Sequence, residues 1–379
     1  MSYWVFDFAF CPDGNLWLST TQGIGVSDGK AWTFYTDQPS GDLACGPNGS
    51  LWVVTTSEKE LRHFDGQQWT AYPPVGKLGK GDYADTIMDI AVSPTGLVWI
   101  GTLSSIASFD GTNWTIYEEG QGFQDQISAQ TLVIDSQGKV WVSSYDGVWM
   151  FDGKKWTPFE SQNLSMPQAL AIDSRDRLWI GTYDNGISMY DGSDWTVYRR
   201  SNSKLSSDSI KSLAIDAQDR VWVGTEWGLN IFDGNNWQAY HVHTSDLVRN
   251  EIAYLTVGGK GPILPPLMEK TTGTLEGSLV NGTQPVSGAE VEICVEYIGF
   301  MFSGTTPCSG QPFVRSTTTD ANGSFTFSDL PAGQYTVTFR APGGKWMQYS
   351  STLSIGSEQA TVNPGETTTL AEMDISKSK

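Results

Sequence analysis

The sequence predicts an all-β protein: a six-bladed β-propeller, with seven blades as the alternative, followed by a C-terminal β-sandwich. Three observations carry this. An apolar-Trp strand with a Thr or Ser three residues on, an Asp-Gly turn and a second Trp recur six times within the first 240 residues. The first Trp column is Trp17, Trp52, Trp99, Trp141, Trp179 and Trp222; the second is Trp32, Trp69, Trp114, Trp156, Trp195 and Trp237. The unit is about 40 residues long, a supersecondary element too small to bury its own hydrophobic face, so its copies must stack. Beyond residue 273 the hydrophobic period changes to two, with turns between short runs.

Repeat five shows the unit most plainly. Ala169-Leu-Ala-Ile-Asp leads to Leu178-Trp-Ile-Gly-Thr, then Ile187-Ser-Met-Tyr, Asp191-Gly-Ser-Asp and Trp195-Thr-Val-Tyr. Four short strands separated by residues that tolerate φ > 0 read as an antiparallel meander. Strand one interleaves Ala9, Ala44, Ala91, Ala171 and Ala214 with larger apolar residues, which suits a crowded inner strand. Strand four opens on Trp and closes on an aromatic, which suits an outer strand laying a large ring on the next blade. Sheets radiating from an axis limit exposed edges by closing the ring.

The runs at 98–102 (VWIGT), 178–182 (LWIGT) and 221–225 (VWVGT), each followed by Phe/Tyr-Asp-Gly, resemble the two-component regulator propeller repeat. The resemblance covers about residues 4–257 and implies the propeller architecture; such repeats are structural modules and imply no single activity. Sensor kinases carry more of them, followed by a further β domain and a transmembrane helix. This chain has fewer repeats and no apolar stretch of about 18 residues, so a transmembrane sensor is not expected.

After repeat six, Glu251-Ile-Ala-Tyr-Leu-Thr-Val aligns with the inner strand Ser209-Ile-Lys-Ser-Leu-Ala-Ile, and Pro265 and Pro266 then end any ladder. The preferred reading is a propeller over 1–257 with six blades plus this extra strand; the relic of a seventh blade is the alternative. Residues 258–272, rich in Gly and Pro, read as a linker. Residues 273–379 read as the sandwich with a short disordered tail. Within it, Thr319-Asp-Ala-Asn-Gly-Ser-Phe-Thr-Phe-Ser-Asp-Leu-Pro-Ala-Gly-Gln-Tyr-Thr-Val resembles the carboxypeptidase regulatory-like (prealbumin-type) domain, over roughly 272–377. The resemblance implies an accessory module of secreted and surface proteins, with no catalytic residues to carry over.

A net charge of −19 and a pI near 4.4 disfavour nucleic acid and anionic membranes as partners. The N-terminus has no basic region and reads as a strand, of a cytosolic protein or of a mature form whose signal was removed; no signal peptide is read in it. Cys45 stands in a column of Phe10, Val92, Ile134, Ile172 and Ile215, so it reads as a small core residue. Cys11 falls where three other repeats carry Asp135, Asp173 and Asp216. Cys294 and Cys308 flank a loop that a disulfide could close, and such a bridge favours an extracytoplasmic home over a cytoplasmic one.

Histidine is limited to His63, His241 and His243. The last two share a strand face, but no Cys or carboxylate at supporting spacing completes a metal site. The Asp-Gly turns at Asp28, Asp65, Asp110, Asp152, Asp191 and Asp233 invite a calcium reading. Six copies at one repeat position are better explained as a tight-turn requirement. No cofactor is expected.

One column breaks the repeat: Asp7, Asp42, Asp89, Thr131, Ala169 and Ser212, ten residues before the first Trp. It lies near the start of the inner strand, so three carboxylates form an arc at the channel mouth, able to bind a cation or to cap neighbouring loops. The strand 2–3 turns on the same face vary most, and variable loops on a rigid scaffold carry function. Tyr145, Tyr183 and Trp227 are therefore expected as aromatic platforms around the Asp arc. The function expected is that of a non-catalytic, bacterial, extracytoplasmic interaction module, its propeller binding a protein or glycan and its sandwich docking or spacing it. A carbohydrate hydrolase or lyase using Asp residues, and an architectural subunit of a surface assembly, are the alternatives. Strongly raised carboxyl pKa values in a deep pocket would favour chemistry.

Overall fold

The computed structural model describes residues 5–36, 38, 41–55, 60–72, 86–118, 123, 127–159, 164, 166–241, 245, 247, 252–256, 272–294, 306–308, 314–348, 359–363 and 365–377. The 258–271 linker, His243 and the last two residues, each read above from sequence, lie outside these, as does the 73–85 connection. Two compact units form, one holding 5–239 with 252–256 and the other 272–377.

The first unit is six four-stranded antiparallel sheets, each paired in chain order. They are blade 1 (5–35), blade 2 (41–72), blade 3 (87–117), blade 4 (131–159), blade 5 (167–198) and blade 6 (210–240). Strand two is the buried layer of blades 2 to 6; Val98, Ile100, Val140, Val142, Val221 and Val223 are wholly inaccessible. Blades join through aromatics. Trp99 and Tyr117 of blade 3 pack on Phe151 and Trp156 of blade 4 with ring centroids 5.3–6.0 Å apart. Trp17 and Tyr35 meet Phe64 and Trp69 in the same way, as Trp179 and Tyr198 meet Phe232, with Tyr198 also against Trp237. Of the two rings of strand four, the closing aromatic is the one laid on the next blade, while the Trp faces the preceding one.

Strand two approaches the next inner strand closely at a Gly column. A Cβ on Gly101 would lie 2.8 Å from Ala129 Cβ of the chain entering blade 4, and one on Gly181 2.4 Å from Ile210 Cγ2 of blade 6. On Gly224 it would meet the Ile252 carbonyl oxygen at 2.4 Å. Ile252 N donates to Thr225 O at 3.0 Å, as Ala129 N does to Thr102 O at 2.9 Å. Residues 252–256 therefore stand in a seventh inner-strand place, although they belong to none of the sheets. Blade 1 reflects this incomplete turn of the ring: Leu16 and Leu18 are only half-buried, and Trp32 and Phe34 are 46% and 56% exposed.

The core reading of Cys45 is corrected: it forms a disulfide with Cys11, joining the inner strands of blades 1 and 2. In blades 4, 5 and 6 the residue at the Cys11 position is Asp, whose Oδ2 accepts the strand-two indole N–H at 3.4, 3.1 and 2.8 Å. Blade 1 exchanges that bond for a covalent one, and Trp17 Nε1 is buried without a partner.

The second unit is two sheets. One pairs strands Gln284–Pro285, Thr272–Asn281 and Ser324–Pro331 in that order, with Thr367–Thr369 and Met373–Asp374 parallel to the long strand. The other runs Val314–Thr318, Glu290–Cys294, Gly333–Arg340, Met347–Gln348, with Ala360–Val362 also on Gly333–Arg340. Leu275, Leu279, Val291, Ile293, Phe325, Phe327, Val337 and Phe339 form its core. Tyr335, fully buried, donates its hydroxyl to Pro331 O at 2.6 Å, closing the Leu-Pro-x-Gly-x-Tyr corner. Cys294 and Cys308 are bonded.

Replacing Cys11 and Cys45 together by Ala frees a bridge of sequence separation 34 and is expected to cost about 3–4 kcal/mol. Denaturant midpoints of the variant and wild type measure it, and an unchanged midpoint would contradict the estimate.

Candidate functional site

The inner strands converge on an open cavity of about 630 Å³. The whole column Asp7, Asp42, Asp89, Thr131, Ala169 and Ser212 lines it. Most of these residues also tie their blade to the next. Asp7 accepts the Leu43 amide at 2.7 Å and its own neighbour Phe8 at 2.8 Å; Asp89 accepts Leu132 at 2.6 Å and Ile90 at 2.8 Å. Thr131 donates its hydroxyl to Gln168 O, and Ser212 to Ile252 O, both at 3.3 Å. Among the described residues, Asp42 is the carboxylate of the arc that makes no such staple.

Burial sets the charge state of the arc. Desolvation pushes Asp42 up to about 7, with the Asp7 charge adding to it. Desolvation likewise carries Asp89 up to about 8, against the pull of the Leu132 amide. Asp7 is raised by the same cause, partly offset by its two amides. Asp42 and Asp89 therefore hold protons near neutrality and serve as donors as well as acceptors.

The residues that differ most sit one position earlier: Phe6, Gly41, Met88, Gln130, Gln168 and Lys211. All but Gly41 line the cavity. Register shifts fall at Phe6, Met88, Gln168 and Lys211, where a bulge places one extra residue on the inner strand. Sequence reading missed this column, though the signal was available: eleven residues before the first Trp, no two blades agree except through Gln. It also missed Tyr254, which is 76% exposed and lines the cavity from the seventh place.

Of the expected platforms, Tyr145 is 62% exposed and lines the cavity. Tyr183 is exposed beside it, with the Lys211 ammonium 5.3 Å from its ring centroid. Trp227 is a correction: it is 5% exposed. Its amide donates to Thr225 Oγ1 at 3.0 Å in a tight turn, and the large apolar ring gains more from burial than from display.

Each Asp-Gly aspartate accepts two following backbone amides, as Asp28 does from Lys30 and Ala31 at 2.8 and 2.9 Å. Those bonds hold the carboxyls low and fit the turn reading. His63 stacks on the Trp52 ring at 4.1 Å. Among the described residues no group of three His, Cys, Asp or Glu is placed to hold a metal ion, and no helix is long and apolar enough to cross a membrane.

Residues 274–375 match the carboxypeptidase regulatory-like domain family, and residues 204–227 match the two component regulator propeller family. The chain therefore joins a regulator-type propeller to a carboxypeptidase regulatory-like domain. No curated protein matches it. Among solved structures it is similar to the extracellular domain of a putative hybrid two component system from B. thetaiotaomicron (14% identity, TM-score 0.55, 96% of this chain and 55% of that one). PorZ of Porphyromonas gingivalis, a surface component of the type-IX secretion system, is similar over 90% of this chain and 58% of its own (16%, TM-score 0.51). Virginiamycin B lyase from Staphylococcus aureus, as a catalytically inactive variant with quinupristin, is similar over 63% and 85% (14%, TM-score 0.51). The chain spans little more than half of the first two. At these identities the likeness is one of fold.

In the folded protein Asp42 and Asp89 keep protons that the unfolded chain releases near pH 4, so they lower stability as pH rises from about 4 to about 8. Asp42→Asn is expected to flatten this decline, gaining on wild type between pH 5 and pH 8 in denaturation midpoint. Parallel profiles would contradict the assignment.

Proposed function

We propose that the protein is a non-catalytic binding module that works outside the cytoplasm, its propeller cavity receiving part of a protein or glycan partner. One contrast supports this most. The blades repeat their aromatic joints and turns, yet the bulge residues facing the cavity are Phe6, Met88, Gln130, Gln168 and Lys211. An apolar, amide and cationic set beside half-buried carboxyls and Tyr145 and Tyr254 offers donors, acceptors and stacking faces at once. The sandwich acts as an accessory docking module. Two disulfides, and neighbours that include an extracellular sensor domain and a bacterial surface component, support the location.

A carbohydrate-active hydrolase or lyase is the second reading, favoured by the raised carboxyls of Asp42 and Asp89 and by a lyase of the same fold. It ranks second because Asp7 and Asp89 are each held by two backbone amides. The cavity also has no histidine among its described lining residues.

Glycan and peptide arrays probed with the full chain test both. Tyr145→Ala with Lys211→Ala and Tyr254→Ala is expected to weaken the strongest interaction at least about tenfold while leaving the melting temperature in place. Turnover of an array component, abolished by Asp42→Asn, would replace the first reading with the second.

A further inference from the structure

Blades 5 and 6 carry arginine two residues before the strand-two Trp. Arg177 Nε donates to Asp173 Oδ2 at 2.6 Å, and its guanidinium carbon lies 5.5 Å from the Trp179 ring centroid. Arg220 repeats this with Asp216 at 2.6 Å and Trp222 at 5.7 Å. The charge of Arg177 also reaches Asp191 of the Asp-Gly turn and the closing Tyr198. The guanidinium is thus framed by a strand-one Asp, an indole, a turn Asp and a Tyr.

Blade 1 keeps most of this frame and lacks the arginine. Trp17, Asp28 and Tyr35 stand where Trp179, Asp191 and Tyr198 do, and Cys11 is taken by its disulfide. Asn15 replaces the arginine and turns back, its amide donating to Asp13 Oδ2 at 2.6 Å. A cleft of about 340 Å³ remains, lined by Asp13, Asn15, Trp17, Asp28 and Tyr35 with Phe64 of blade 2. Trp17 is 2% exposed, and its Nε1–H finds no acceptor.

We propose that this cleft binds an arginine side chain of a partner polypeptide, in the place Arg177 and Arg220 fill within blades 5 and 6. A guanidinium donates only, which matches the two carboxylates of Asp13 and Asp28 at the rim. The net charge of −19 draws such a partner in. The site lies among the Asp-Gly turns, so its failure and that of the central-cavity reading are separable.

The test titrates Gly-Arg-Gly and Gly-citrulline-Gly into ¹⁵N-labelled full-length protein, with the Trp17 indole signal assigned through Trp17→Phe. The arginine peptide is expected to shift that signal to saturation, and the uncharged citrulline peptide to bind at least about tenfold more weakly. Asn15→Arg, which fills the cleft from within, is expected to abolish the shift, and Asp28→Asn to weaken binding severalfold. Asp152→Asn, in the corresponding turn of blade 4, should leave it unchanged. No shift, an equal response to citrulline, or a full response in a folded Asn15→Arg variant would each overturn the proposal. Should Asn15→Arg not fold, an undiminished affinity in Asp28→Asn would overturn it.

Discussion

The aromatic joint between consecutive blades is the interaction on which the propeller rests. A four-stranded meander of about 30–35 residues cannot bury its own faces. Each gains a core only when the strand-two Trp and closing aromatic of one blade meet the Phe or Tyr and strand-four Trp of the next, as Trp99, Tyr117, Phe151 and Trp156 do. Offset and edge-on rings at these distances add a directional preference to area burial. That preference repeats the same rotation at each step. Where the joint lapses, the consequence is visible: Ser27 replaces the Phe or Tyr of other blades, and Trp32 and Phe34 are left exposed.

The inner strands answer a second demand, holding neighbouring blades together at the axis without a large side chain. Asp7, Asp89, Thr131 and Ser212 do so by hydrogen bonds to the next inner strand. The same atoms line the cavity, so scaffold and site overlap. That overlap explains why Asp89 stays protonated near neutral pH at a place where charge is expensive: burial comes with the staple. Asp42 has the burial without the staple, which leaves it the carboxylate with most freedom toward a ligand.

Repeat proteins make departures from the pattern informative, because five other copies state what a position ordinarily does. Asp at the end of strand one secures an indole N–H in blades 4 to 6; in blade 1 a cysteine there secures a second blade instead and orphans Trp17. Arginine above the indole in blades 5 and 6 becomes Asn15 in blade 1 and opens a cleft. Each change follows from size and hydrogen-bonding capacity at one site, and neither disturbs the aromatic joint.

The sequence by itself determined the blades, their strand order and the sandwich, because Trp spacing, Asp-Gly turns and period-two runs are local requirements of meanders. It also placed Asp7, Asp42, Asp89 and Tyr145 at one mouth, since register along a strand follows from alternation. Tertiary structure alone decided the rest. The Cys11–Cys45 bond joins residues far apart in sequence, and nothing local distinguishes a bonded cysteine from a core one. Bulges brought Phe6, Met88, Gln168 and Lys211 to the cavity, a shift of register that arises only when two strands pair. Trp227 went inside, its exposure only 5%, and burial is a property of the surroundings a side chain meets as much as of the residue itself.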